Sequence, residues 1–141
     1  MSKISKDIMN IARAMRRHRN AYMAPLGLKG LHVRYLMELC DNPGISQDGL
    51  AQRLGTDKSN VARQAVVLEE QGYLLRQPSQ EDKRVLCLQP TQKTMELLPR
   101  MQKSMEQWED RLTEALTRQE YDLLQSLLEK VRQKTDEMEV L

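Results

Sequence analysis

SQDGLAQRLGTDKSNVARQAVVLEEQGYLLRQPSQEDKRVLCLQPT, residues 46–91, carries the densest local structural signals in the chain. Ser46 stands just before an apolar-periodic run, Leu50, Ala51 and Leu54, and can cap the free N–H groups of a short helix that Gly55 ends. Thr56 or Asp57 can cap a second helix, in which Val61, Ala65 and Leu68 recur at helical spacing. That spacing leaves Lys58, Ser59, Asn60, Arg63 and Gln64 near a free N-terminal face, where they can donate to phosphates or bases. Gly72 stops this helix. The run from Tyr73 to Arg76 reads as a strand, residues 77–83 as a polar turn, and the run from Arg84 to Leu88 as a returning strand. Together these make a helix-turn-helix with a wing.

The order of helix, recognition helix, Leu-Glu-Glu-Gln-Gly-Tyr at 68–73, and then a wing with Asp82 and Arg84 ahead of a helix-opening Thr91, resembles the DNA-binding domain of the MarR family of bacterial regulators. The likeness covers about a third of the chain at motif level. The family usually has Leu immediately before that Thr and Gly three residues after it, where this chain has Pro90 and Thr94. The resemblance implies a mainly α fold with a small β wing (α+β). It also implies three segments: an N-terminal dimerisation helix at 1–27, a winged helix-turn-helix at 28–91, and C-terminal dimerisation helices at 92–141. In a homodimer of that kind the first and last two helices interleave. The implied function is that of a sequence-specific regulator on a pseudo-palindromic operator, expected to be a repressor released by a small aromatic or phenolic ligand.

Composition fits one functional unit. The 141 residues suffice for one domain with a real core or for a small domain with helical extensions. With no Phe, one Trp and four Tyr, the core must come from Leu, Met, Val and Ala, which favours helices over a large sheet. Nine Met add an adaptable interior. The N-terminus is interrupted by Lys3, Lys6 and Asp7, and the longest aliphatic stretch lies near residues 65–68, far short of a bilayer span. A cytoplasmic protein is expected. Cys40 and Cys87 lack any CxxC or metal-ligand spacing and read as structural thiols. Formal net charge is only +2, but it is unevenly distributed. Lys and Arg outnumber Asp and Glu by 8 to 3 in residues 1–45, balance at 6 to 6 in residues 46–91, and trail by 8 to 11 in residues 92–141. The motif is therefore not a basic patch overall. Its acids can sit harmlessly, Asp57 at a helix N-terminus and Glu69 and Glu70 at the far end.

Outside the motif the pattern is helical. Residues 5–24 place Ile8, Ile11, Ala12, Met15 and Met23 on one side, and Pro25 and Gly27 end that helix. A second runs from about Lys29 to Cys40 with Leu31, Tyr35, Leu36 and Leu39 inward, before the turn Asp41-Asn42-Pro43-Gly44. Leu98, Met101, Met105, Trp108 and Leu112 are spaced as a packing seam, with Pro99 predicting a kink. Thr117 and Glu120 form a capping-box signature for a last helix, with Tyr121, Leu124, Leu128 and Val131 on one face, Leu123 and Leu127 beside it, and a frayed end through Asp136, Glu137 and Glu139. These stripes exceed what a winged helix of this size covers, and the resemblance supplies a second copy as their partner; a monomer closing its own bundle is the alternative.

The chemistry points to binding. A wing-tip Arg84 can enter a narrow minor groove with Asp82 fixing its guanidinium and Lys83 beside it, against the plainer reading of an exposed hairpin salt bridge. Arg63 can read guanine and Asn60 or Gln64 adenine, while Lys58 and Ser59 hold phosphates. There is no nucleophile elbow, HExxH or glycine-rich phosphate loop, so no enzyme, cofactor or metal is expected. If a ligand binds where the resemblance implies, the candidates around it are Met15, Arg17, His32, Tyr35, Met101 and Trp108. The competing function is a winged-helix protein-interaction module that has lost DNA binding, which the neutral charge of 46–91 favours.

Overall fold

Six helices and one two-stranded sheet make up the computed structural model, which describes residues 1–138; the Glu139 part of the expected C-terminal fray lies outside the described residues. The helices are α1 (Lys3–Met23), α2 (His32–Asp41), α3 (Gln47–Leu54), α4 (Lys58–Glu70), α5 (Gln92–Leu112) and α6 (Arg118–Met138). The strands are β1 (Leu74–Pro78) and β2 (Leu86–Pro90), antiparallel, with Leu74 opposite Pro90 and Pro78 opposite Leu86. The chain divides into two compact units, Met1–Met105 and a second beginning at Glu106.

The first unit carries the core. Val33, Leu36 and Leu39 from α2, Leu50 from α3, Val61, Ala65 and Leu68 from α4, Leu74 and Leu88 from the sheet, and Leu97 and Met101 from α5 are all buried in one cluster. Removing each large aliphatic side chain from water is worth about 1.5–3 kcal/mol. The periodicity of α4 is thereby explained: its three inward residues face the core and its other faces stay wet.

The ends of these helices follow their capping residues. Ser46 Oγ accepts the Gly49 N–H at 2.9 Å, and Gly55 closes α3 in the left-handed conformation at φ 66°, which an L side chain rarely adopts. Of the two candidates for the next cap, Asp57 takes the role, accepting the Asn60 N–H at 2.7 Å. Gly30 is needed for close approach rather than conformation. Its N–H donates to Asn20 Oδ1 at 2.7 Å, and a Cβ there would lie 2.9 Å from the Asn20 backbone nitrogen.

Two expectations are corrected. Helix α2 begins at His32 rather than Lys29, and Leu31, expected inward, is 47% exposed, because the turn at Gly30 packs on α1 and turns Leu31 out. Each strand starts and ends later than expected: β1 runs to Pro78, and β2 begins at Leu86, leaving Arg84 in the connecting loop. The reason is pairing. Leu88 donates its N–H to the Ile45 carbonyl and accepts from Gly44 N–H, both at 2.8 Å, so β2 is held from both sides at that register. Helix α5 runs through Pro99 as one element, with the proline inside it.

The two departures at the wing-to-helix junction have structural uses. Pro90 ends β2, where a missing N–H is tolerated. Thr94 is buried and its hydroxyl donates to the Tyr73 carbonyl, while Thr91 Oγ1 donates to the Gly72 carbonyl at 2.6 Å.

In the second unit, Thr117 and Glu120 form the reciprocal capping box: Thr117 N–H donates to Glu120 Oε1 at 2.9 Å, and Glu120 N–H to Thr117 Oγ1 at 3.1 Å. No described residue of α6 is buried, and Leu123, Leu124, Leu127, Leu128 and Val131 are all exposed. In the first unit Ile4, Ile8 and Ile11 of α1 are likewise exposed. Among the described residues no helix is long and apolar enough to cross a membrane.

Candidate nucleic-acid interface

Helix α4 presents its N-terminal turns to solvent with their side chains already organised. Asp57 accepts from Ser59 Oγ at 2.9 Å as well as from Asn60 N–H, and these bonds hold its carboxyl below the usual range, the Asn60 bond most of all. Asn60 donates from Nδ2 to Thr56 Oγ1 at 2.9 Å and accepts from Arg63 Nη2 at 3.1 Å. The Arg63 guanidinium is thus tethered on an exposed surface while its other donors remain for a ligand. Lys58 reaches back to Asp48 at the start of α3, 3.3 Å away, in an exposed ion pair that a phosphate can replace.

Gln64 points elsewhere. It is half-buried, and its Oε1 lies 2.8 Å from Nε2 of the buried His32 on α2. That contact orients the Gln64 amide, leaving one oxygen lone pair and the amide NH2 uncommitted to His32. Sequence reading missed this pairing because the residues are 32 positions apart and no periodicity links them.

The wing supplies the second half. Arg84 is exposed on the loop between the strands, and its guanidinium and backbone N–H both bond Asp82, whose carboxyl is held below its usual range chiefly by that guanidinium. Lys83 is exposed beside them. A cleft lined by Gln47, Asp48, Arg84, Val85 and Leu86 places this loop next to the N-terminal end of α3. Wing orientation relative to α4 is set by Glu69, which accepts the Arg76 backbone N–H at 3.0 Å and two guanidinium bonds at 3.1 and 3.0 Å.

The ligand candidates differ in exposure and in the unit that holds them. His32 is 1% exposed with both ring nitrogens engaged, Met101 lies in the core, Met15 is half-buried and Arg17 exposed on α1, and Trp108 belongs to the second unit. Tyr35 does line a recess, together with Arg19, Leu31, Arg34, Leu54, Thr56 and Asn60. Arg19 and Arg34 line it together with Leu31, Leu54 and Tyr35, a mix of cationic and apolar side chains that suits a small apolar anion. Arg19 and Arg34 were not among the sequence candidates, and the only hint was the unusual Arg density around 16–19.

A capped helix pair inside a shared core, followed by a two-stranded wing, defines a winged helix-turn-helix protein. The family model described as the MarR family matches residues 26–85. The uncharacterized HTH-type transcriptional regulator YybA of Bacillus subtilis is 30% identical over 132 residues, covering 94% of this chain and 88% of that protein. The transcriptional repressor MprA of Escherichia coli is 32% identical over 103 residues, 73% of this chain but only 58% of MprA. Among solved structures, the transcriptional repressor CouR bound to a 23-mer DNA duplex superposes with a TM-score of 0.81 at 29% identity, covering 94% of this chain and 96% of that one. The chain belongs to the MarR family, whose members are transcriptional regulators rather than enzymes.

Proposed function

We propose that the chain acts as a homodimeric, sequence-specific DNA-binding repressor, reading a pseudo-palindromic operator with α4 in the major groove and the wing in the adjacent minor groove. The observation that carries this is the joint presentation of Arg63 and Arg84, each exposed and each held by a neighbouring side chain. Lys58, Ser59 and Lys83 then serve the phosphates, and Asp82 orients Arg84. Preorganising a guanidinium reduces the ordering cost of binding.

The dimer is supported by the exposed apolar residues of α1 and α6, which fit helices that bury those faces against a second copy. In this reading 1–27 and 92–141 serve dimerisation and 28–91 DNA binding. Release by a small aromatic or phenolic acid is supported by the recess of Arg19, Arg34 and Tyr35, whose rim includes Asn60 of the recognition helix. MprA, a transcriptional repressor, and CouR, a repressor bound to DNA, are similar proteins that support this reading. A mobility shift with the promoter DNA flanking the protein's own gene, with and without salicylate, tests it. A retarded complex that salicylate dissolves is expected, and failure to retard that DNA overturns the DNA-binding reading in favour of a protein-interaction module.

A further inference from the structure

His32 is buried in the first unit beneath the recognition helix, yet it is a polar ring with two defined partners. Nδ1 accepts the Lys29 N–H at 3.0 Å, so the ring proton sits on Nε2, which donates to Gln64 Oε1 at 2.8 Å. The same turn is closed by His32 N–H to the Lys29 carbonyl and Val33 N–H to the Gly30 carbonyl, and Gly30 is seated on Asn20 of α1. One imidazole therefore connects the turn leading into α2 with the middle of α4, where Gln64 adjoins Arg63 and lies one helical turn beyond Asn60.

We propose that His32 is a positioning residue for DNA recognition: its neutral Nε2–H form holds Gln64 and thereby the reading face of α4, and its protonation releases that hold. A doubly protonated ring directs an N–H at the Lys29 N–H, turning an attractive contact into a repulsive one. The ring can satisfy the new donor only by turning away, which withdraws Nε2 from Gln64. The charged groups on the surrounding elements do not favour the imidazolium. Lys29 opposes it directly; Arg19 on α1, Arg34 on α2 and Arg63 on α4 are all cationic; Arg53 of α3 and Glu38 of α2 pair with each other. Tyr35 meets the ring edge-on, β2 carries no charged side chain, and Asp57, the α4 cap, is committed to Ser59 and Asn60. Burial is the largest influence and holds the imidazole pKa below its ordinary value, against the upward pull of the Gln64 hydrogen bond and with a smaller downward push from Lys29.

This inference rests on the DNA-binding reading, so its test has one arm with DNA and one without. Operator affinity is measured by fluorescence anisotropy on the protein's own promoter DNA from about pH 8 to about pH 5.5 at fixed ionic strength, for wild type and His32→Gln. The Gln side chain offers an amide acceptor and donor but takes up no proton. Wild type is expected to lose at least about fivefold more affinity over this range than His32→Gln, which matches it within about threefold at the alkaline end. Parallel pH profiles overturn the proposal. Independently of DNA, the Gln64 side-chain amide resonances of the free protein are expected to shift with the same midpoint as the His32 ring in an NMR titration. A Gln64 amide that ignores His32 overturns the proposal even if DNA binds, whereas a coupled shift without any operator binding upholds the His32–Gln64 link and removes the DNA-binding reading instead.

Discussion

Asp82 takes three hydrogen bonds from Arg84: from the backbone N–H at 3.0 Å, from Nε at 3.2 Å and from Nη2 at 3.3 Å. An exposed ion pair of this kind adds little to stability. Its consequence is orientation, because the three bonds favour one pose of the guanidinium at the tip of the wing.

Replacing Arg84 by Ala is therefore expected to weaken operator binding by about 1–3 kcal/mol per half-site while leaving the fold intact. Asp82→Asn keeps the arginine but loosens it, so a smaller loss is expected. Anisotropy titrations alongside circular dichroism check both; unchanged affinity for Arg84→Ala removes the wing from the interface.

Glu69 ties α4 to β1 through Arg76, and that guanidinium, followed by the Arg76 backbone N–H, holds the Glu69 carboxyl below the usual glutamate range. A carboxyl with a depressed folded-state pKa contributes stability that is complete above its unfolded pKa, about 4.3, and is lost as pH falls through the folded value. Glu69→Gln is expected to cost about 1 kcal/mol at neutral pH and to flatten the loss of stability on acidification below about pH 4. Urea melts at fixed protein concentration across that window measure it. A variant whose stability falls with acid as steeply as wild type's excludes the Glu69 tie as a contributor.

Thr94 is buried, and its hydroxyl satisfies the Tyr73 carbonyl. Thr94→Val keeps the shape and removes the donor, so a loss of about 1–2 kcal/mol is expected in the same melts. Thr94→Gly loses this bond and adds backbone freedom within α5, and is expected to be no more stable than Thr94→Val. Near-wild-type stability for Thr94→Val means the junction does not depend on this bond.

The apolar residues exposed on α6 predict that removing residues 119–141 abolishes the dimer. Light scattering on the truncated chain is expected to show monomer or aggregate. A soluble dimer of the shortened protein assigns dimerisation to some other surface.

Legibility of the fold followed the locality of each signal. Ser46, Asp57 and the Thr117–Glu120 box each act on a residue three positions away, so the helix starts they govern could be read from neighbouring letters. The strands were displaced because β2's register depends on Ile45 and Gly44, more than forty residues upstream of Leu88 and bonded to it. At the site, Arg63 and Arg84 were visible as exposed cations in fixed motif positions. The Gln64–His32 bond and the gathering of Arg19 and Arg34 around Tyr35 were not, since both arise only when separate helices pack.

The most direct measurement is the affinity of the wild-type protein for its own promoter DNA against an unrelated duplex of equal length, at one near-physiological salt concentration. Two chains per specific duplex are expected, with binding at least about a thousandfold tighter than to the unrelated sequence and most of that margin lost in Arg63→Ala and Arg84→Ala. Equal affinity for the two duplexes, or no binding to either, contradicts sequence-specific DNA binding by this chain.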